Sequence, residues 1–143
     1  MNHACIPLAN PGAAFQARKP EYDEALSRVI GSGQYILGPE VETFERHFAE
    51  WLAGASCDAG ECVGVANGTD AIEITLRALR GLLPVPQDKL PAVFTVSHTA
   101  VATVAAIERA GCVPVLTDID AASYTMSPSS LEAAVNMVTA ERP

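Results

Sequence analysis

Nowhere in its 143 residues does the chain carry a run of lysine or arginine, and its nine basic residues face seventeen acidic ones for a net charge of −8. A surface that tracks a phosphate backbone is argued against, and nucleic acid is not an expected partner. No stretch reaches the roughly eighteen uninterrupted apolar residues that cross a bilayer. The opening MNHACIPLANPG also lacks the charged start and apolar centre of a secretory signal, so a cytoplasmic protein with no membrane partner is expected. Cysteine is sparse in a telling way. Cys57 and Cys62 flank Asp58-Ala59-Gly60-Glu61, but no second Cys or His pair completes a metal site, so no metal is expected and Cys5, Cys57, Cys62 and Cys112 read as free thiols. Charged residues make up only 18% against 49% hydrophobic, which suits a chain with a large core or a partner surface.

What the chain does contain is a pointed junction, VGVANGTDAIEITLRAL from Val63 to Leu79. Asn67-Gly68 between apolar runs is a hairpin signal. The residues after Thr69 decide otherwise: Ile72, Leu76, Leu79 and Leu83 recur at helical spacing, with Glu73, Arg77 and Arg80 on the opposite side and Glu73 four residues before Arg77. The tetrad Asn67-Gly68-Thr69-Asp70 is therefore a strand-to-helix turn. Two roles remain open for it. Asn67 or Thr69 caps the helix, or the unpaired N–H groups at the helix start, with Gly68 allowing close approach and Thr69 adding a hydroxyl, bind a phosphate. The stretch matches neither the Walker pattern nor GxGxxG.

Pro20 opens a predicted helix through Ile30 that stops at Gly31-Ser32-Gly33; after the QYILG linker, Pro39 opens another that ends at Gly54 and carries Val41, Phe44, Phe48 and Leu52 on one face. His47 and Trp51, on or beside that face, are expected to pack. Beyond a Cys57–Glu61 loop the chain alternates: a strand over 62–66, a helix over 69–83, a strand over 90–96 after the PVPQD turn, a helix over 100–110 closed by Gly111, a strand over 112–117, and a helix from Ser127-Pro128. Strands without polar alternation, separated by helices, predict an α/β fold with a mainly parallel sheet covered by helices on both faces. Pro114 calls for an edge, a bulge or an N position facing away from the ladder. Residues 1–55 read as an amino-terminal helical segment and 56–143 as a first βαβαβ unit. Three strands with one helix per crossover do not close a two-sided layer, so the fold is expected to continue beyond Pro143.

The blocks IPLANPGAAF, SGQYILGPEVETFERHFAEWL, VGVANGTDAIEITLRAL, VSHTAVATVAAIERAGCVPVLTDID and YTMSPSSLEAAV resemble, in order and spacing, the amino-terminal part of the DegT/DnrJ/EryC1/StrS family of sugar aminotransferases. The resemblance implies a partial type I pyridoxal-phosphate (PLP) transferase fold, with residues 56–143 as the start of the large domain. It implies PLP as cofactor, with the turn of Asn67, Gly68 and Thr69 binding its phosphate. Many relatives stack an aromatic residue, placed directly after the Thr matching Thr99, on the cofactor ring. Here that position is Ala100, so either His98 supplies the flat surface or another segment does. The family's Schiff-base lysine and its ring-nitrogen carboxylate lie beyond the matched region. Lys19 and Lys89 do not match the lysine, and Asp118 and Asp120 match strand-end aspartates, so no catalytic residue is assigned and the chain alone is expected to be inactive. The implied activity of the whole enzyme is transfer of an amino group from glutamate or glutamine to a nucleotide-linked keto-deoxysugar. A homodimer is implied, with both subunits contributing to each site and QYILG near one. Competing with it are a sugar dehydratase of the same fold, with histidine in place of the lysine and the cofactor in its pyridoxamine form, and a truncated, non-catalytic binding remnant.

Overall fold

Proline punctuates the amino-terminal half. In a computed structural model, whose described residues are 7–54, 60–84 and 89–141, helices α1 (Pro11–Ala17), α2 (Lys19–Ser32) and α3 (Pro39–Ala53) each carry a proline at the first or second helical position. There the missing N–H costs no intrahelical bond. The Asn10 side chain accepts from the Ala13 N–H at 3.2 Å and caps α1. Helix α2 ends at Gly33, whose φ of 68° is the left-handed turn that glycine adopts without strain. Both predicted helices of this half, and their stops, are thus present. None of the three helices buries a residue.

Phe44, Phe48 and Trp51 form a ladder of rings along α3, with centroids 5.6 and 5.8 Å apart. The packing expected of Trp51 extends to Phe48, but its side chain stays largely exposed. Residues up to Gly64 form one compact unit and those from Val65 another. Gly64 is tied into the first by its N–H, which donates to Glu45 Oε1 at 2.6 Å.

The second unit comprises α4 (Gly68–Leu82), β1 (Ala92–Val96), α5 (Val101–Arg109), β2 (Val113–Thr117) and α6 (Pro128–Glu141). Strands β1 and β2 pair in parallel, in register from Ala92 opposite Val113 to Val96 opposite Thr117. Helix α5 packs on both strands and on α4, and α6 packs on β2. The strand expected over 62–66 is not formed. A strand needs a ladder, and here β1 pairs with β2 in a two-stranded sheet while the Gly64 N–H goes to a glutamate side chain. The Val113 N–H donates to the Pro91 carbonyl and the Ser97 N–H to the Thr117 carbonyl, so odd positions of β2 face β1 and Pro114 turns its nitrogen away, meeting the condition its presence set. Of the other expected features, Cys5, most of the Cys57–Glu61 loop and most of the PVPQD turn lie outside the described residues. Cys62 and Cys112 are free thiols.

The core gathers where α5 meets the sheet. Ile107, Ala110 and Cys112 are buried, with Leu76 and Val93 packed against them. Ala106 is fully buried, a small side chain that admits the neighbouring helix. One expectation for α4 is corrected: Glu73 was placed opposite the apolar stripe, yet it is 8% exposed while Leu79 and Leu83 face outward. The reason lies at the end of α5, whose last carbonyls have no intrahelical donor. Arg77 Nη2 donates to the Arg109 carbonyl at 2.8 Å, and Arg80 Nη1 to the Gly111 carbonyl at 3.1 Å. Glu73 anchors this cationic group, 2.8 Å from Arg77 Nη2 and 2.8 Å from Arg109 Nε. Glycine suits residue 111, where φ is 73° and a Cβ would be strained and would push aside the end of the Arg80 side chain.

Candidate functional site at the carboxyl edge of the sheet

Glu73, Arg77 and Arg80 of α4 meet the carboxyl end of α5 at residues 109–111. Helix α5 starts just after the carboxyl end of β1. The amino terminus of α5 therefore lies at the carboxyl edge of the sheet, where open α/β folds take ligands.

At the start of α4, Asn67 is extended and its Oδ1 accepts from the Asp70 N–H at 2.9 Å, while its carbonyl accepts from the Ala71 N–H at 3.1 Å. Asn67 is thus the cap, one of the two roles its sequence left open. Its Nδ2 also donates to Asp70 Oδ2 at 3.1 Å, which ties down the one acidic side chain of the first turn. Gly68 and Thr69 keep their N–H groups, and Thr69 its hydroxyl, without a partner among the described residues. A Cβ built on Gly68 would meet no atom within 4 Å. The positive end of a fifteen-residue helix thus presents two free amides and a hydroxyl beside open space.

His98 lies in the bend between β1 and α5. The bend is fixed at one end by the Ser97 N–H to the Thr117 carbonyl at 2.9 Å and at the other by the Thr99 and Thr103 hydroxyls, 2.9 Å apart. Its imidazole meets a ring that the sequence had not singled out, Tyr124, with centroids 6.2 Å apart and a tilt of 53°. Tyr124 stands in the turn after β2, at a left-handed φ of 58°.

Asp120 builds that turn. Its Oδ1 accepts from the Ala122 N–H at 3.1 Å and the Ser123 N–H at 2.9 Å, and its carbonyl accepts from the Tyr124 N–H at 2.9 Å. The Ser123 N–H foremost, then its hydroxyl, then the Ala122 N–H hold the Asp120 carboxyl below the usual aspartate range. Asp118 accepts from the Ile119 N–H. Both aspartates accept hydrogen bonds from the backbone around them. Lys89 precedes β1, at the opposite end of a five-residue strand. That separates it from the carboxyl edge by about 16 Å of strand.

The parallel pairing of β1 and β2, joined by α5 and flanked by α4 and α6, defines an α/β protein. The chain belongs to the DegT/DnrJ/EryC1/StrS aminotransferase family, which matches residues 16–141. It is 38% identical to the erythromycin biosynthesis sensory transduction protein EryC1 of Saccharopolyspora erythraea over 94% of this chain and 34% of that protein. It is 37% identical to the dTDP-3-amino-3,4,6-trideoxy-alpha-D-glucose transaminase of Streptomyces venezuelae, over 91% of this chain and 31% of the relative. Among solved structures, a DegT DnrJ EryC1 StrS aminotransferase from Brucella abortus superposes with a TM-score of 0.81 at 33% identity, over 96% of this chain and 34% of that one. The chain spans about a third of the length of the relatives it matches.

Proposed function

We propose that this chain forms the cofactor-phosphate end of a PLP-dependent aminotransferase that moves an amino group from glutamate or glutamine to a nucleotide-linked keto-deoxysugar. Membership of an aminotransferase family and similarity to a dTDP-sugar transaminase support the reaction class. The observation that carries the assignment to particular residues is the free amide pair of Gly68 and Thr69 at the head of α4, with open space beside Gly68.

Pyridoxal phosphate, when bound, supplies an electron sink that stabilises charge developing at the carbon bearing the transferred nitrogen. The Gly68 and Thr69 amides and the Thr69 hydroxyl would hold its phosphate. Asn67 would keep the turn in shape by capping α4, and His98 would offer a flat face to the ring. Neither lysine is assigned a covalent role. Lys19 is paired with Asp23 on α2, and Lys89 stands at the amino end of β1. Residues 1–143 alone are accordingly expected to show no transaminase activity. The same proposal carries a cytoplasmic homodimer, with residues 1–55 as the amino-terminal segment and 56–143 as the start of the cofactor domain.

The test is made in the full-length protein. Thr69→Ala removes one hydrogen bond to a charged group, worth about 1.5–3 kcal/mol, and is expected to weaken PLP affinity roughly ten- to a hundredfold. Ligand-free melting should hardly move, because the cap is Asn67. Gly68→Val should weaken binding further by filling the space beside the turn. Asn67→Ala, by contrast, should lower ligand-free stability by about 1 kcal/mol. Unchanged PLP affinity in both the Thr69 and the Gly68 variants would end the phosphate assignment.

A further inference from the structure

His98 raises a question of support. It sits on a surface bend, and a side chain that offers one face to a ligand must be kept from rotating freely. Ala100 provides no ring directly after Thr99, and Thr99 is engaged with Thr103. The ring beside His98 comes instead from Tyr124, in the turn after β2.

Tyr124 adopts a conformation that a residue with a Cβ disfavours, at φ 58°. Several bonds hold it there. The Asp120 carboxylate accepts two N–H groups, the Tyr124 N–H donates to the Asp120 carbonyl, the Asp120 N–H donates to the Thr125 carbonyl at 2.9 Å, and Ile119 bridges Met126. Glycine would satisfy the same turn without strain. A tyrosine in this place, largely exposed and touching the His98 imidazole, serves its ring rather than its backbone.

We propose that Tyr124 is a positioning residue: from the turn closed by Asp120, its ring holds the His98 imidazole at the carboxyl edge of the sheet, in the orientation in which His98 meets the cofactor ring. This rests on the assignment of His98 to the PLP site made above. The orientation is set by the tilted contact of two rings, the geometry that aromatic pairs prefer.

Tyr124→Gly and Tyr124→Phe in the full-length protein separate positioning from plain structural support. With Tyr124→Gly, the ligand-free melting temperature should hold or rise as backbone strain is relieved. The His98 imidazole proton signals should lose the displacement caused by the neighbouring ring, and PLP affinity should fall roughly two- to tenfold. Tyr124→Phe, which keeps the ring, should preserve both the His98 signals and the affinity. A Tyr124→Gly variant whose affinity and melting temperature fall together, or whose His98 signals or affinity stay unchanged, overturns the proposal. Thr69→Ala run alongside distinguishes the two levels. If it weakens PLP and Tyr124→Gly does not, Tyr124 is released from its role while the phosphate site stands; if Thr69→Ala has no effect, the site assignment fails and the positioning role fails with it.

Discussion

The two compact units are both rich in helix, yet they are held together by different means. In residues up to Gly64, no residue of α1, α2 or α3 is buried, and Leu26, Ile30, Phe44 and Trp51 lie open. Order there comes from local chemistry: prolines at helix starts, Asn10 as a cap, a left-handed Gly33, and ion pairs such as Arg28 to Glu40 at 2.7 Å. From Val65 onward order comes from packing, with Ile107 and Ala106 sealed between helix and sheet and a carboxylate buried under two guanidinium groups. Local signals are enough to write helices into a sequence. They do not place those helices against anything, because most helical stability comes from an apolar face meeting a partner.

Truncating an apolar side chain in each unit sharpens that contrast most. Ile107 is 1% exposed, so Ile107→Ala should cost about 3 kcal/mol through lost burial and the cavity left behind. Leu26 is more than half exposed, and Leu26→Ala should cost under about 1 kcal/mol. Hydrogen exchange of α5 amides against α2 amides reads both. Equal losses would show that the first unit has a core of its own.

Glu73 tests the polar side of the same contrast. Its carboxylate is buried, but the side chains of Arg77 and Arg109 are 60% and 58% exposed, and water is open to them when it is removed. The penalty for breaking a buried pair is therefore discounted, and Glu73→Ala should cost about 2 kcal/mol by denaturant unfolding. Arg46→Ala, which breaks an exposed pair with Glu50 on α3, should cost under about 0.5 kcal/mol.

These particulars also show which parts of the fold could be read in advance. Pro20, Gly33, Pro39, Gly54, Gly111 and Pro128 each act on the chain within a residue or two, and the helix limits they mark were legible. The parallel pairing of β1 and β2 was legible too, since apolar strands joined by a helix leave few alternatives. Glu73 was misplaced because its burial depends on Arg109 and on the arginines drawn to the carbonyls of residues 109–111, far along the chain, and no periodicity within α4 carries that information. The strand over 62–66 failed for a related reason, as an apolar run states a preference and a ladder needs a neighbour. At the candidate site, the turn of Asn67, Gly68 and Thr69 stood out through its glycine and its cap. Tyr124 did not, because its left-handed backbone follows from the Asp120 turn and its contact with His98 from the pairing of β2 with β1.

The smallest expected effect divides the units by how each lowers the pKa of an exposed carboxylate. Glu40 is held below the usual glutamate range foremost by its hydrogen bond from the Arg28 side chain, whereas Asp120 is held low by the N–H and hydroxyl of Ser123 and the N–H of Ala122. For both groups the folded pKa lies below the unfolded one. Their stabilising contribution is therefore present above the unfolded pKa and is lost as the pH falls through the folded one. The partners differ in what can remove them. Arg28→Ala should return Glu40 toward its ordinary value, because a single side chain supplies the effect. No charged side chain supplies it for Asp120, so its carboxyl should keep titrating below the ordinary aspartate value when Arg28 is replaced, and at high salt as well. Carboxyl carbon resonances followed across acid pH measure both. The Ala122 and Ser123 amide signals should move with the same midpoint as Asp120 and should stop titrating in Asp120→Asn. An Asp120 midpoint at or above the ordinary aspartate value would show that the turn carrying Tyr124 is not held by this carboxylate.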